Sequence, residues 1–137
     1  FAIRMENDNN LFLTDEIIKY DYSRDMAIIR IEKNIQPLNI YKGTNDLVRG
    51  QKVAAIGSPL GLFNSVSDGI ISGFRNIDDN DFIQFTAPVS HGSSGGALFN
   101  TYGQVIGIIT AGYDGGQNIN LAVSYKMINN FIKGFIN

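Results

Sequence analysis

Ser94 sits in the run Gly92-Ser93-Ser94-Gly95-Gly96, and His91, the only histidine among 137 residues, lies three positions before it. A serine hydroxyl is a weak nucleophile at neutral pH and attacks a carbonyl only when a neighbouring base takes its proton. Glycines around such a serine let successive backbone N–H groups converge on one point, where a side chain would obstruct both the backbone path and an approaching substrate. Converging donors stabilise a tetrahedral oxyanion, and losing one costs about 3 kcal/mol of transition-state stabilisation. The chemistry these residues suggest is acyl transfer. Taken alone, the pentapeptide is equally a glycine-rich β turn holding an ordinary serine.

Two other mechanisms for a Gly/Ser loop fail on context. A phosphate-cradling loop ends in Lys and Ser/Thr and opens a helix, whereas Ala97-Leu98-Phe99-Asn100 follows here and leads into a hairpin. Residues 92 to 96 also match G-x-S-x-G, the strand–turn–helix elbow, which places its histidine after the serine. No histidine follows Ser94, and the next element reads as β.

The elements that would position this loop are strands. "FAIRM", "LFLTDEIIKYD" and "DMAIIRIE" each read as one strand, with "NDNN" at 7–10 as the turn between the first two. The nearly continuous apolar run of "MAIIRIE" predicts a strand in a core. "NIQPLNIYKGTNDLVRG" is a connector, since Pro37 and Gly43 break regular structure. "QKVAAIGSP" predicts a buried strand ended at Ser58-Pro59, and "SVSDGIISGF" a strand bent at its glycines. "DFIQFTAPV" runs into the serine loop, "GALFNTYGQVIGIITAG" forms a hairpin around residues 101–103, and "INLAVS" is the last strand. From Ser124, a candidate N-cap, Met127, Ile128, Phe131, Ile132 and Phe135 recur at helical spacing, which predicts a C-terminal helix packed by one face.

Composition limits the function classes. With 44% apolar and 18% charged residues the chain is an ordinary globular one, sized for one domain with a core. A net charge of -2 without a basic cluster argues against nucleic acid as partner. No apolar run approaches the roughly 18 residues of a membrane span. Zero cysteines exclude thiol catalysis, disulfides and thiolate-bound zinc. The acids show no metal-ligand spacing, so no cofactor or metal is implied.

Four blocks, "DMAIIRIE", "GQKVAAIGSPLGLFNSVSDGIISG", "FIQFTAPVSHGSSGGALFN" and "GQVIGIITAG", stand in the order and spacing of bacterial trypsin-like serine proteases of the high-temperature-requirement (Deg) type. The chain resembles that family from about residue 15 to the final helix. The resemblance implies an all-β fold, the chymotrypsin-like double β-barrel, with a complete C-terminal barrel, a partial N-terminal one and a C-terminal α-helix. It implies a remnant of the first barrel over 1–45 and the second barrel with its helix over 46–137. It further implies peptide hydrolysis through an acyl-enzyme on Ser94, with Asp25 orienting the base. The oxyanion hole falls on Gly92, Ser93 and Ser94, and the substrate-pairing strand on Thr110, Ala111 and Gly112. Pro88, Val89 and Leu121 would line the primary specificity pocket. None is acidic, so small or medium apolar side chains are expected there. His91 matches a rim position facing substrate.

The family order is histidine, aspartate, serine, yet no histidine precedes Asp25. The expectation is therefore the C-terminal part of a protease domain, inactive by itself, whose base lies upstream of Phe1. Open strand edges in a partial barrel would invite pairing or swapping with the upstream segment or with another copy of the chain. The expected substrate is a peptide or unfolded protein, and by family analogy the setting is extracytoplasmic or the cell envelope. The alternative is a pseudoprotease that binds peptides by β-augmentation along Thr110–Gly112.

Overall fold

Apolar residues from Lys52 onward are spaced to build strands that close on themselves. The structure, a computed structural model, describes residues 1–5, 9–58, 64–110 and 119–135. It divides into two units, Phe1–Pro37 and Leu38–Asn137.

The first unit holds two hairpins. β1 (Ala2–Arg4) pairs antiparallel with β2 (Leu11–Leu13), and β3 (Ile17–Asp21) with β4 (Met26–Ile29). The single strand predicted over 11–21 is thus two strands in separate sheets. The Thr14 N–H donates to the Phe1 carbonyl and closes the first hairpin, and the Thr14 hydroxyl accepts from the Glu16 N–H, turning the chain. Residues 6–8, which hold part of the predicted turn at 7–10, lie outside the described residues. β4 is half-buried at Met26, Ile28 and Ile29 and exposed at Ala27. The core placement predicted for it does not appear, because a two-stranded sheet supplies no second layer inside the unit.

The second unit is a closed antiparallel barrel of six strands, in the order β10–β7–β6–β5–β8–β9. These are β5 (Lys52–Gly57), β6 (Ser65–Ile77), β7 (Asn80–Phe85), β8 (Ala97–Phe99), β9 (Val105–Ile109) and β10 (Asn120–Ser124). The connector predicted from Pro37 is irregular, and its Ile40 and Tyr41 are tied to Val105 of the barrel wall. β6 bends where its register with β7 shifts between Ile71 and Gly73, in the glycine-interrupted stretch that predicted a bend. Ile71, Ile83, Phe85, Leu98, Ile106 and Ile109 fill the interior. β9 is buried along almost its whole length because α1 (Tyr125–Phe131) packs against it, which accounts for the unbroken apolar run "VIGII". Ser124 caps α1, its hydroxyl accepting the Lys126 N–H at 3.3 Å. Past the C-cap Ile132 the chain turns at Gly134 with φ +90°, ending the helix short of the predicted Phe135.

The described residues are thus mostly β, with one complete six-strand barrel and a short helix in the second unit and two hairpins in the first.

Candidate active site

The serine loop spans residues 86–96, between the end of β7 and the start of β8. Its entering arm is fastened to the barrel. Thr86 N–H donates to the Ile70 carbonyl at 3.0 Å, and its hydroxyl accepts the Ile70 N–H at 2.9 Å. Asn120 Nδ2 holds the Ala87 carbonyl at 2.9 Å, and Ser67 Oγ holds the Pro88 carbonyl at 2.7 Å. A tight turn then follows, in which Ser93 N–H donates to the Ser90 carbonyl at 3.0 Å and Ser93 Oγ accepts the Ser90 N–H at 3.2 Å. The departing arm is pinned by Gly95 N–H on the Ile109 carbonyl at 2.7 Å and by Gly96 N–H on the Ser93 carbonyl at 3.0 Å.

What the turn leaves free matters for chemistry. Ser93 is 3% exposed and faces inward, whereas Ser94 and Gly92 lie at the surface. Among the described residues the N–H groups of Gly92 and Ser94 and the Ser94 hydroxyl have no hydrogen-bond partner. Two donors and a hydroxyl thus lie within three consecutive residues of an exposed turn whose two arms are hydrogen-bonded to the barrel. Gly92 reaches this geometry at φ +91°, a region costly to any residue with a Cβ. Free backbone N–H groups of this kind can accept an anionic oxygen.

His91 is exposed on the same turn and, among the described residues, has no hydrogen-bond partner. Val89 is half-buried and, with Pro88, Ser67, Ser90 and Ser93, lines a cavity of about 350 Å³ behind the loop. Leu121 is buried on β10, opposite Gln84. Thr110 follows β9 and donates its N–H to the Leu121 carbonyl at 3.0 Å. Ala111 and Gly112 lie outside the described residues. A larger groove of about 620 Å³ is lined from Val48, Phe74, Arg75, Asp81 and Tyr125, and it shares no residue with the serine loop.

Asp25 belongs to the first unit. Asp21 Oδ1 accepts the Ser23 hydroxyl at 2.6 Å and the N–H groups of Ser23 and Arg24, forming a turn after β3. The Ser23 hydroxyl, together with the Arg24 and Ser23 backbone bonds and the Arg24 charge, lowers the Asp21 pKa and outweighs the opposing desolvation. Asp25 closes the turn at φ +53°, a left-handed conformation that Asp tolerates better than most residues, and is exposed. Ser67 and Ser90 carried no signal in the sequence. Each is one small polar residue in a turn-rich stretch, and only the fold brings them to the loop.

The trypsin-like peptidase domain family matches residues 4–108, most of the chain. The chain belongs to that family. Among its relatives are the serine protease HTRA1 of Xenopus tropicalis, 36% identical over 95% of this chain and 30% of the relative, and a probable periplasmic DegP-like serine endoprotease of Halomonas elongata, 41% identical over 70% and 21%. The anti-sigma-I factor RsgI9 of Acetivibrio thermocellus is 32% identical over 92% of this chain and 18% of that protein. The chain spans under a third of each of these curated relatives. In three dimensions it is similar to a variant of the HtrA-type protease AlgW with a tripeptide, at a TM-score of 0.80 and 29% identity, covering 93% of this chain and 44% of the other. It is thus a trypsin-like peptidase domain of the HtrA/Deg type, and the serine loop lies within the matched residues.

Proposed function

We propose that this chain is the nucleophile-bearing part of a serine endopeptidase that works through an acyl-enzyme on Ser94. The observation that carries this is the pair of unpartnered N–H groups, Gly92 and Ser94, beside the exposed Ser94 hydroxyl. They serve as the oxyanion donors, and the inward-turned Ser93 between them sets their direction. Asp25 orients a histidine supplied by sequence upstream of Phe1 in the full-length protein, and that histidine takes the Ser94 proton. His91, three residues before Ser94 on the same turn, acts at the substrate rim. Without the upstream histidine this chain is inactive.

On this reading residues 1–45 belong to a first barrel and 46–137 form the second. The exposed Leu11, Leu13, Tyr20 and Tyr22 of the two hairpins await further strands, from the same protein or from another copy. The substrate is a peptide or unfolded protein pairing along Thr110–Gly112, with a small or medium apolar residue near Val89. The neighbour bearing a tripeptide supports peptide as the ligand class, and the relatives named periplasmic support an extracytoplasmic setting.

The test is labelling of the full-length protein with a fluorophosphonate, which forms a stable adduct only on a base-activated serine. An adduct on Ser94, absent from Ser94→Ala, is expected. An unlabelled Ser94 in a protein carrying the upstream histidine would overturn the enzyme reading and favour a peptide-binding domain.

A further inference from the structure

Ser67 lies on β6, outside the serine loop, yet its hydroxyl donates to the Pro88 carbonyl at 2.7 Å. We infer that Ser67 is a positioning residue for the oxyanion donors, acting through Pro88; the inference rests on the catalytic reading of Ser94 given above.

The case begins with what else could hold this arm. Proline has no N–H, so the carbonyl is the only backbone hydrogen-bonding group Pro88 has. Between the Ala87 carbonyl, held by Asn120, and the Ser90–Ser93 turn, the Ser67 bond is the only tie on the loop among the described residues. The loop also has somewhere to go. An open cleft of about 350 Å³ adjoins it, lined by Val89, Ser90 and Ser93 from the loop and by Ala55, Val66 and Ser67 from the barrel. Removing the brace lets Val89, already half-buried beside that space, and Ser90 shift into it, since further burial of Val89 is favourable. Ser90 supplies both partners of the turn that aims Ser93 inward. Moving Ser90 therefore rotates the peptide units on either side of Gly92, and the Gly92 and Ser94 N–H groups lose their common target. Ser67 touches neither substrate nor the reacting atoms. It fixes where the donors point.

Two measurements test this. In the full-length protein, Ser67→Val and Ser67→Ala are expected to lower kcat by about tenfold, the worth of one braced hydrogen bond, with KM changed less than twofold. Ser67→Thr keeps the hydroxyl, and the cavity accommodates its extra methyl, so it restores kcat. In the same full-length protein, without substrate, amide chemical shifts of Gly92–Gly95 should move in Ser67→Val and stay near wild type in Ser67→Thr. Unchanged kcat and unchanged amide shifts in both hydroxyl-lacking variants would overturn the inference, as would an equal kcat loss in Ser67→Thr. If instead Ser94→Ala retains full activity, the catalytic reading itself fails, while the amide shifts still report on the brace.

Discussion

A Cβ placed on Gly96 would overlap the Ile56 carbonyl oxygen and lie 2.9 Å from that of Ser93. The last residue of the serine loop is therefore threaded between a barrel strand and the loop's own turn, with no room for a methyl group. Backbone on both sides cannot step aside as a flexible side chain would. Gly96→Ala should destabilise the barrel by about 3 kcal/mol, the upper end of overpacking costs. A urea titration followed by circular dichroism reads this as a lowered midpoint at unchanged slope.

Gly92 is constrained by its backbone conformation. At φ +91° it occupies backbone geometry that an L-residue adopts only with strain of about 1–3 kcal/mol. Gly92→Ala can relieve the strain by rotating its peptide units, which turns the Gly92 N–H away from the Ser94 corner. Fluorophosphonate labelling of the full-length variant should then slow by about 10²-fold or more, the usual cost of an oxyanion donor. The loss of folding stability should stay within about 3 kcal/mol. Labelling at the wild-type rate would remove Gly92 from the donor set.

Tyr125 links the barrel to pH. Its ring packs edge-on against Tyr41, with centroids 4.9 Å apart. Burial, followed by the nearby Tyr41 and Asp46 charges, raises the phenol pKa above its ordinary 10.0. A folded pKa above the unfolded one means the unfolded chain releases its proton first. The stability this proton contributes is complete below about pH 10 and is lost as pH rises through the folded value. The urea midpoint should thus fall above pH 10, and Tyr125→Phe should fall less steeply over the same range. Parallel curves for the two proteins would show that Tyr125 does not carry the effect.

The second barrel was legible in the sequence because its strands obey local rules. Apolar runs end at turn residues, Ser124 caps a helix with apolar residues at the right spacing, and the glycines of "SVSDGIISGF" fall where β6 bends. Trypsin-like membership was legible because four blocks agreed, including the Ser94 loop. The first unit was harder. Thr14-Asp15-Glu16 looks like strand by neighbourhood, yet the Thr14 hydroxyl makes it a turn, and the apolar "MAII" run has no second layer within the unit. Ser67 and Ser90 were invisible for another reason. Their role comes from hydrogen bonds across 21 residues and across one tight turn, and no spacing rule encodes either.

Asp25 offers the cleanest separation of charge from structure. It closes the β3–β4 turn at φ +53°, a conformation that Asn tolerates as readily as Asp. Asp25→Asn therefore preserves the backbone while removing the carboxylate. If Asp25 orients and stabilises a charged histidine, kcat of the full-length protein should drop by about 10⁴-fold, the loss known for such a change in a triad. KM and the urea midpoint should barely move, because the side chain is exposed and Asp21 supplies the capping oxygen of the turn. A steady-state assay of kcat and KM alongside a urea titration checks both halves. A kcat within tenfold of wild type would assign the orienting carboxylate to another residue.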